Sequence, residues 1–254
     1  MKNQYVGDIG DYGKYGLLRF IAAHNIRIGI NWYLTEDDGS SDGKYINYLN
    51  KADDRIYDPE LFDFLKMVAF QPDKTVKRIE EAELIAQAEY FHEALQITDG
   101  KSENRKWNRR LWFNNSNIML GSADLVFADP DNGITFSKKE TSKDCEKYIL
   151  PQEITEYYHS GRDVLFYCHR GRRKEADWNR TKTRIREYIR DAQILIMTYH
   201  RGTQRSFIFV VHPDRYRTYA GFLNEFLRTE WGRIFTRENV TGNVLTTEEE
   251  IKWF

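Results

Sequence analysis

With 254 residues, 41% of them hydrophobic and 15% aromatic, the chain can bury the core of one α/β domain carrying an insertion, or of two small domains. A formal charge of −1 excludes a uniformly basic binder, and no apolar run approaches the length of a membrane span. Cys145 and Cys168 have neither metal-ligand nor redox spacing, and no signal-peptide pattern is present, so a reducing, cytoplasmic setting is expected.

Residues 5–16 pack Gly7, Gly10, Gly13 and Gly16 around Asp8, Asp11 and Lys14 before an apolar run at 17–21. So many glycines beside an Asp pair and a Lys predict a loop that touches a ligand, while Asp8 or Asp11 suits a helix cap. A first strand is expected over 27–35, followed by an acidic loop holding Gly39 and Gly43. That loop lacks the Gly-x-Gly-x-x-Gly spacing, and its acids repel phosphate; a ligand offering an amine or ribose hydroxyls fits it better.

Asp58-Pro59-Glu60 opens a helix through Leu61, Phe62, Leu65, Val68 and Ala69, with Asp58 as cap and Pro59 in the first turn. A second helix is expected over 74–86, making 46–87 a mainly helical insertion in a single domain spanning 1–254. Residues 88–95 suit a short strand, and 107–113 a helix with Arg105, Lys106, Arg109 and Arg110 facing solvent or phosphate.

The centre of the pattern is 123–133, where an apolar β-type run ends in Asp129-Pro130-Asp131-Asn132-Gly133. A buried parallel strand that stops in a tight polar turn delivers two carboxylates and an amide to the sheet edge where α/β proteins bind ligands. Further on, 151–159 reads as a helix, 162–169 as a strand ending in His169, and 193–199 with 205–213 as a hairpin whose second strand is reversed. A closing amphipathic helix over 216–229 and a tail ending in Trp253-Phe254 complete the chain.

Charge is uneven. Residues 36–63 hold nine Asp/Glu against three Lys/Arg, and 151–220 hold fourteen Lys/Arg against eight Asp/Glu. Arg170, Arg172 and Arg173 followed by Trp178 interleave cations with an aromatic, the pattern of a surface for a polyanion that also stacks, hence nucleic acid.

Together these features resemble the class I methyltransferase fold: an α/β, Rossmann-like sheet, mostly parallel with one antiparallel strand, with helices on both faces. The nearest resemblance is to the J-type 23S ribosomal RNA adenine-N6 methyltransferase family. It rests on Gly7-Asp8, Asp11 and Lys14-Tyr15, then Tyr33-Leu34 with Gly39 and Gly43-Lys44-Tyr45, then Asp129-Pro130, and last Val211-His212-Pro213. The same Gly-Asp-x-x-Asp-x-x-Lys-Tyr and Asp-Pro-Asp-Asn-Gly stretches also resemble uncharacterised bacterial and phage proteins. The methyltransferase resemblance implies S-adenosylmethionine held by Asp11, Lys14, Tyr15, Gly39 and Gly43, with Asp129 facing a target amine. Asp131 and Asn132 stand where that family has a second proline and an aromatic, so base stacking would fall to Tyr12, Tyr15 or Trp178. No clear second strand ends in the acid that holds the cofactor ribose.

Three readings follow. The first is an S-adenosylmethionine-dependent methyltransferase-like enzyme acting on a nucleic-acid amine, with Asp129, Asn132 and Asp131 at the reacting centre and Arg170, Arg172, Arg173 and Trp178 on the substrate. The second is a Mg²⁺-dependent nuclease or phosphoryl-transfer enzyme in which Asp129 and Asp131 hold the metal. The third is a degenerate methyltransferase fold that only binds nucleic acid.

Overall fold

The computed structural model describes residues 1–39, 43, 45–96, 102–137, 141–142, 144–170 and 174–240. In chain order its helices are α1 (Ile9–Ala22), α2 (Pro59–Ala69), α3 (Val76–Glu81), α4 (Ser102–Met119), α5 (Pro151–His159), α6 (Glu175–Tyr188) and α7 (Tyr216–Arg228). The strands are β1 (Ile28–Asn31), β2 (Glu89–Phe91), β3 (Leu125–Ala128), β4 (Gly133–Ile134), β5 (Tyr148–Ile149), β6 (Asp163–His169), β7 (Gln193–Tyr199), β8 (Arg205–Val211) and β9 (Phe235–Glu238).

Seven strands form one mixed sheet in the order β2-β1-β3-β6-β8-β7-β9, and β4 pairs with β5 as a separate two-stranded ribbon. β2, β1, β3 and β6 run parallel, with Ile28 opposite Leu125 and Ala128 opposite Phe166. β8 lies antiparallel between β6 and β7, and β9 is antiparallel to β7. Two strands are therefore reversed, not the expected one. β9 escapes a pattern search because an edge strand needs only one apolar face, and Phe-Thr-Arg-Glu buries Phe235 while leaving Thr236 exposed.

Alternation along the central strands divides the core. Leu125, Phe127 and Leu165 join Tyr15, Leu18, Leu65 and Leu223 from α1, α2 and α7 on one face. Val126, Ala128, Val164 and Phe166 join Trp112, Phe113, Ile154 and Ile185 from α4, α5 and α6 on the other. Apolar residues on both sides of a strand need helices on both faces, and that is what these clusters contain.

Between β1 and β2 the described chain holds two short 3₁₀ turns (Asn47–Asn50 and Ala52–Ile56) with α2 and α3. Asp58 caps α2 by accepting from Leu61 N at 3.0 Å. α3 is shorter than the expected 74–86, and the turn after it places Glu83 at φ 48°. Residues 241–254, including Trp253 and Phe254, lie outside the described residues.

The glycine-rich N-terminal stretch departs most from expectation: from Ile9 onward it is helix, with Gly10, Gly13 and Gly16 inside α1. The spacing of three keeps these glycines on one side, against other elements. A Cβ on Gly13 would lie 2.7 Å from the Tyr199 ring, and one on Gly16 2.3 Å from the Trp231 ring. The glycines thus sacrifice helix propensity for close approach of α1 to the aromatic side chains of β7 and the turn after α7.

Candidate functional site

β1 and β3 are neighbours, yet the chain leaves β1 for β2 on one side and later enters β3 on the other. Their carboxyl ends consequently open a crevice. Asn31 closes β1 there; its carbonyl accepts from Asp129 N at 3.0 Å and fixes the first residue after β3. Asp129, Pro130, Asp131 and Asn132 line a cavity of about 440 Å³ at this edge, together with Asp11 and Lys14 from α1.

The cavity wall contains a buried charge cluster. Lys14 Nζ lies 2.6 Å from Asp129 Oδ2 and 2.7 Å from Asp11 Oδ1, bringing the head of α1 onto the end of β3. Asp11 Oδ2 also accepts from Gly7 N at 3.1 Å and from the Tyr15 hydroxyl at 3.3 Å. Asp8 caps α1, accepting from Gly10 N at 2.5 Å and Asp11 N at 3.3 Å. Burial pushes the Asp11 and Asp129 carboxyls above the ordinary carboxylate value, with Lys14 opposing the rise. Burial by itself works to lower Lys14, but the two carboxylates beside it hold its ammonium above 10.5. Lys14 is thus shared between two carboxylates, one from its own helix and one from the end of β3.

Beside the cluster, Asp131 Oδ1 is 2.7 Å from the Met1 amino group, which donates to the Asp129 carbonyl at 2.9 Å and the Tyr33 carbonyl at 3.1 Å. Asn132 is pinned through its N–H to the Lys147 carbonyl at 2.9 Å, which ties the motif to β5. Gly133 ends the turn at φ 91°, and a Cβ there would meet Cys168 Sγ at 2.6 Å. Neither a left-handed side chain nor a bulkier one fits, so this glycine sets the path of the acidic motif. From β6, Tyr167 and His169 reach the same cavity, with the Tyr167 hydroxyl 3.3 Å from His169 Nδ1. Arg205 enters from the start of β8; its Nη1 donates to the Arg201 and Thr203 carbonyls, and its Nη2 lies 3.6 Å from Asp8 Oδ2.

The residues expected at the reacting centre, Asp129, Asp131 and Asn132, are brought together here. Of those expected to hold a cofactor, Asp11, Lys14 and Gly43 line the cavity. Tyr15 instead packs in the core edge-on to Trp32, and Gly39 stands exposed with open space around it.

The basic segment is organised differently from the expectation. Arg170 pairs with Glu175 at 2.5 Å and Glu238 at 3.4 Å, and Lys182 lies 3.5 Å from Glu238. Trp178 is fully buried and donates its indole N–H to Glu238 at 2.8 Å, so it offers no face for stacking. Glu238 comes from β9, the strand the sequence pattern did not reveal. Arg172 and Arg173 lie outside the described residues. Arg109, expected at the surface, is buried and bonded to Glu153 at 2.7 Å. Tyr12 sits in an aromatic cluster with Tyr48, Phe62 and Trp231, leaving it equally unable to stack on a ligand.

Tyr45 entered the sequence reading only as the end of the Gly43-Lys44-Tyr45 stretch, and Tyr167 and Arg205 were not singled out, although all three line the cavity. A charge opening an otherwise apolar strand was the available signal for Arg205; Tyr167 has none beyond its two-residue spacing from His169. Among the described residues, no group of three or more His, Cys, Asp or Glu side chains is arranged to hold a metal ion. No helix among the described residues is long and apolar enough to cross a membrane.

Comparison with known proteins adds little to this geometry. No protein-family model and no curated protein matches the chain. Among solved structures, protein LPL1258 from Legionella pneumophila, described under the family label DUF519, aligns over 93% of this chain and 98% of its own, with 14% identity and a TM-score of 0.48.

Proposed function

We propose that the chain is a Rossmann-like, S-adenosylmethionine-dependent methyltransferase-like protein that acts on an amine of a nucleic-acid base. The observation that carries the reading is the placement of Asp129-Pro130-Asp131-Asn132 at the carboxyl end of β3, beside the head of α1, on a cavity at the switch point of the sheet. The reversed β8 inserted between β6 and β7 agrees with it.

The cavity suits such a cofactor in size. A cavity of about 440 Å³ is within the range of small-molecule sites. Its lining mixes Asp8, Asp11, Asp38, Asp129 and Asp131 with Lys2, Lys14, Lys147 and Arg205, partners of both signs for a ligand that carries an amine, a carboxylate and a sulfonium. Gly43 and, at the head of α1, Asp8, Gly10 and Asp11, all on the lining, would hold it. When bound, the cofactor supplies an electrophilic methyl group. The protein's own contribution is positioning: Lys14 fixes Asp129 through Oδ2, and Oδ1 is left to accept an N–H of the incoming amine. Asn132 offers a second acceptor, and together the two aim the nitrogen lone pair into the cavity. Burial of the Asp11–Lys14–Asp129 cluster keeps that aim rigid and desolvated.

Calorimetric titration with S-adenosylmethionine and then S-adenosylhomocysteine tests the reading. Binding of both by the wild type, weakened about tenfold or more by Lys14→Ala, a change of ~1.4 kcal/mol, is the expected result. No heat from either ligand, in protein shown by circular dichroism to be folded, overturns it.

A further inference from the structure

A planar base that presents an amine to Asp129 needs a surface to rest on, and the aromatics nearest the motif in sequence cannot supply one. Tyr12, Tyr15 and Trp178 are all closed off in the core. The cavity does have an open ring. Tyr45 lines it with 62% of its surface exposed. Its backbone is held in place, because the Tyr45 carbonyl accepts from Ile9 N, the first residue of α1, at 3.1 Å. A fixed backbone under an exposed ring gives a platform of defined position.

The other aromatics on the wall are less suited. Tyr5 carries the Lys2 ammonium 5.5 Å above its ring centre, and its edge is pressed against Gly43, where an added Cβ would lie 2.4 Å away. Tyr167 is held within the site, bonded to His169, and burial raises its hydroxyl above the usual range. Lys147, also on the wall, is a cation whose long 4.0 Å contact with Asp144 a backbone phosphate could replace.

We infer that Tyr45 is the stacking platform of the site, and that its ligand is an unstacked base of a single-stranded nucleic acid. The inference rests on the methyltransferase-like reading for the identity of the reacting group. Its physical basis is general: each base has a π-face, and a tyrosine ring binds it without regard to sequence. A base within a duplex stack cannot reach a ring at a cavity mouth, so single strands are preferred over duplexes. Tyr45 is a positioning residue; it touches the base and leaves the amine to Asp129 and Asn132.

The experiment uses a short single-stranded oligonucleotide carrying 2-aminopurine, whose fluorescence is quenched by stacking, titrated into wild type, Tyr45→Ala and Tyr45→Phe with S-adenosylhomocysteine present. The same three proteins are titrated calorimetrically with S-adenosylhomocysteine alone, and their melting temperatures are compared. The expected result is quenching by wild type and Tyr45→Phe, and about tenfold weaker binding with lost quenching in Tyr45→Ala, within the usual range for one base–aromatic stack. Melting temperature and S-adenosylhomocysteine affinity should not move. Equal oligonucleotide binding by wild type and Tyr45→Ala overturns the inference, as does a wild type that binds S-adenosylhomocysteine but no oligonucleotide; in both cases the cofactor reading survives. Oligonucleotide binding that depends on the Tyr45 ring without any S-adenosylhomocysteine affinity would uphold the platform and overturn the cofactor. Binding of neither overturns both.

Discussion

Two buried ion clusters lie on opposite faces of the same sheet, and they are built for different ends. Arg109 and Glu153 are sealed in the layer of α4 and α5, with four hydrogen bonds from the guanidinium. The guanidinium bonds to both Glu153 oxygens and to the Cys145 and Tyr148 carbonyls; Glu153 in turn accepts from Leu150 N at 2.9 Å and the Tyr33 hydroxyl at 3.1 Å. One cation meets one anion there. In the Asp11–Lys14–Asp129 cluster one cation meets two anions, the wall opens on a cavity, and both carboxyls are pushed upward by burial. A balanced, closed pair holds elements together, whereas an unbalanced, open one retains capacity to receive a ligand.

The largest effect should come from unbalancing the sealed pair. Glu153→Ala strands the Arg109 charge and removes the α5 cap, and is expected to cost ~3–5 kcal/mol in urea unfolding. Replacing both partners by apolar residues, as in R109M with E153L, should recover most of that loss, because no orphaned charge remains.

Lys14→Met should cost less, ~2 kcal/mol at pH 8, since a stranded carboxyl already pushed upward by burial can take up a proton, whereas a stranded guanidinium cannot shed one. Its dependence on pH separates the two clusters. A carboxyl raised in the folded protein contributes stability that is fully present below its unfolded value, near 3.8, and lost as pH rises through the folded value. Removing Lys14 takes away the charge that restrains both shifts, so Lys14→Met should regain stability on acidification from pH 8 to 5. Glu153→Ala should show no comparable recovery across that interval. Denaturant melts of both variants at the two pH values make the comparison directly; parallel losses would mean that the clusters are equivalent.

The smallest effect is expected from Tyr15→Phe, which removes only the 3.3 Å bond to Asp11 from within the core. A loss of ~0.5–1 kcal/mol with unchanged S-adenosylhomocysteine titration would mark Tyr15 as support for Asp11. A drop in ligand affinity comparable to that of Lys14→Ala would return it to the binding surface.

Much of this architecture was readable from local pattern. The apolar run at 125–128 and the turn after it, the Asp58-Pro59 start of α2, α5 over Pro151–His159 and the β7–β8 hairpin each carry their own signal in adjacent residues. So did the polar motif at the crevice, because Asp129, Asp131 and Asn132 follow one strand within four positions. Residues whose role is set by a distant partner were not readable. Arg109 resembles a solvated helix arginine until Glu153, 44 positions away, is placed beneath it. Trp178 and Arg170 suggest a nucleic-acid surface until β9 brings Glu238 alongside.

The glycines of α1 state the distinction most plainly. By itself the sequence determined that residues 5–16 are rich in Gly, with Asp8, Asp11 and Lys14 among them, and that an acidic motif ends the central strand. Only the tertiary structure decided that those glycines are helical contact points, because the side chains they make room for, Tyr199, Arg205 and Trp231, lie about two hundred residues downstream. Only the tertiary structure, likewise, set Lys14 between Asp11 and Asp129. Hydrogen bonds within a turn and the alternation of a strand act between neighbours and leave their trace in local sequence, whereas ion pairing and close packing act through space and depend on which elements the sheet order brings together.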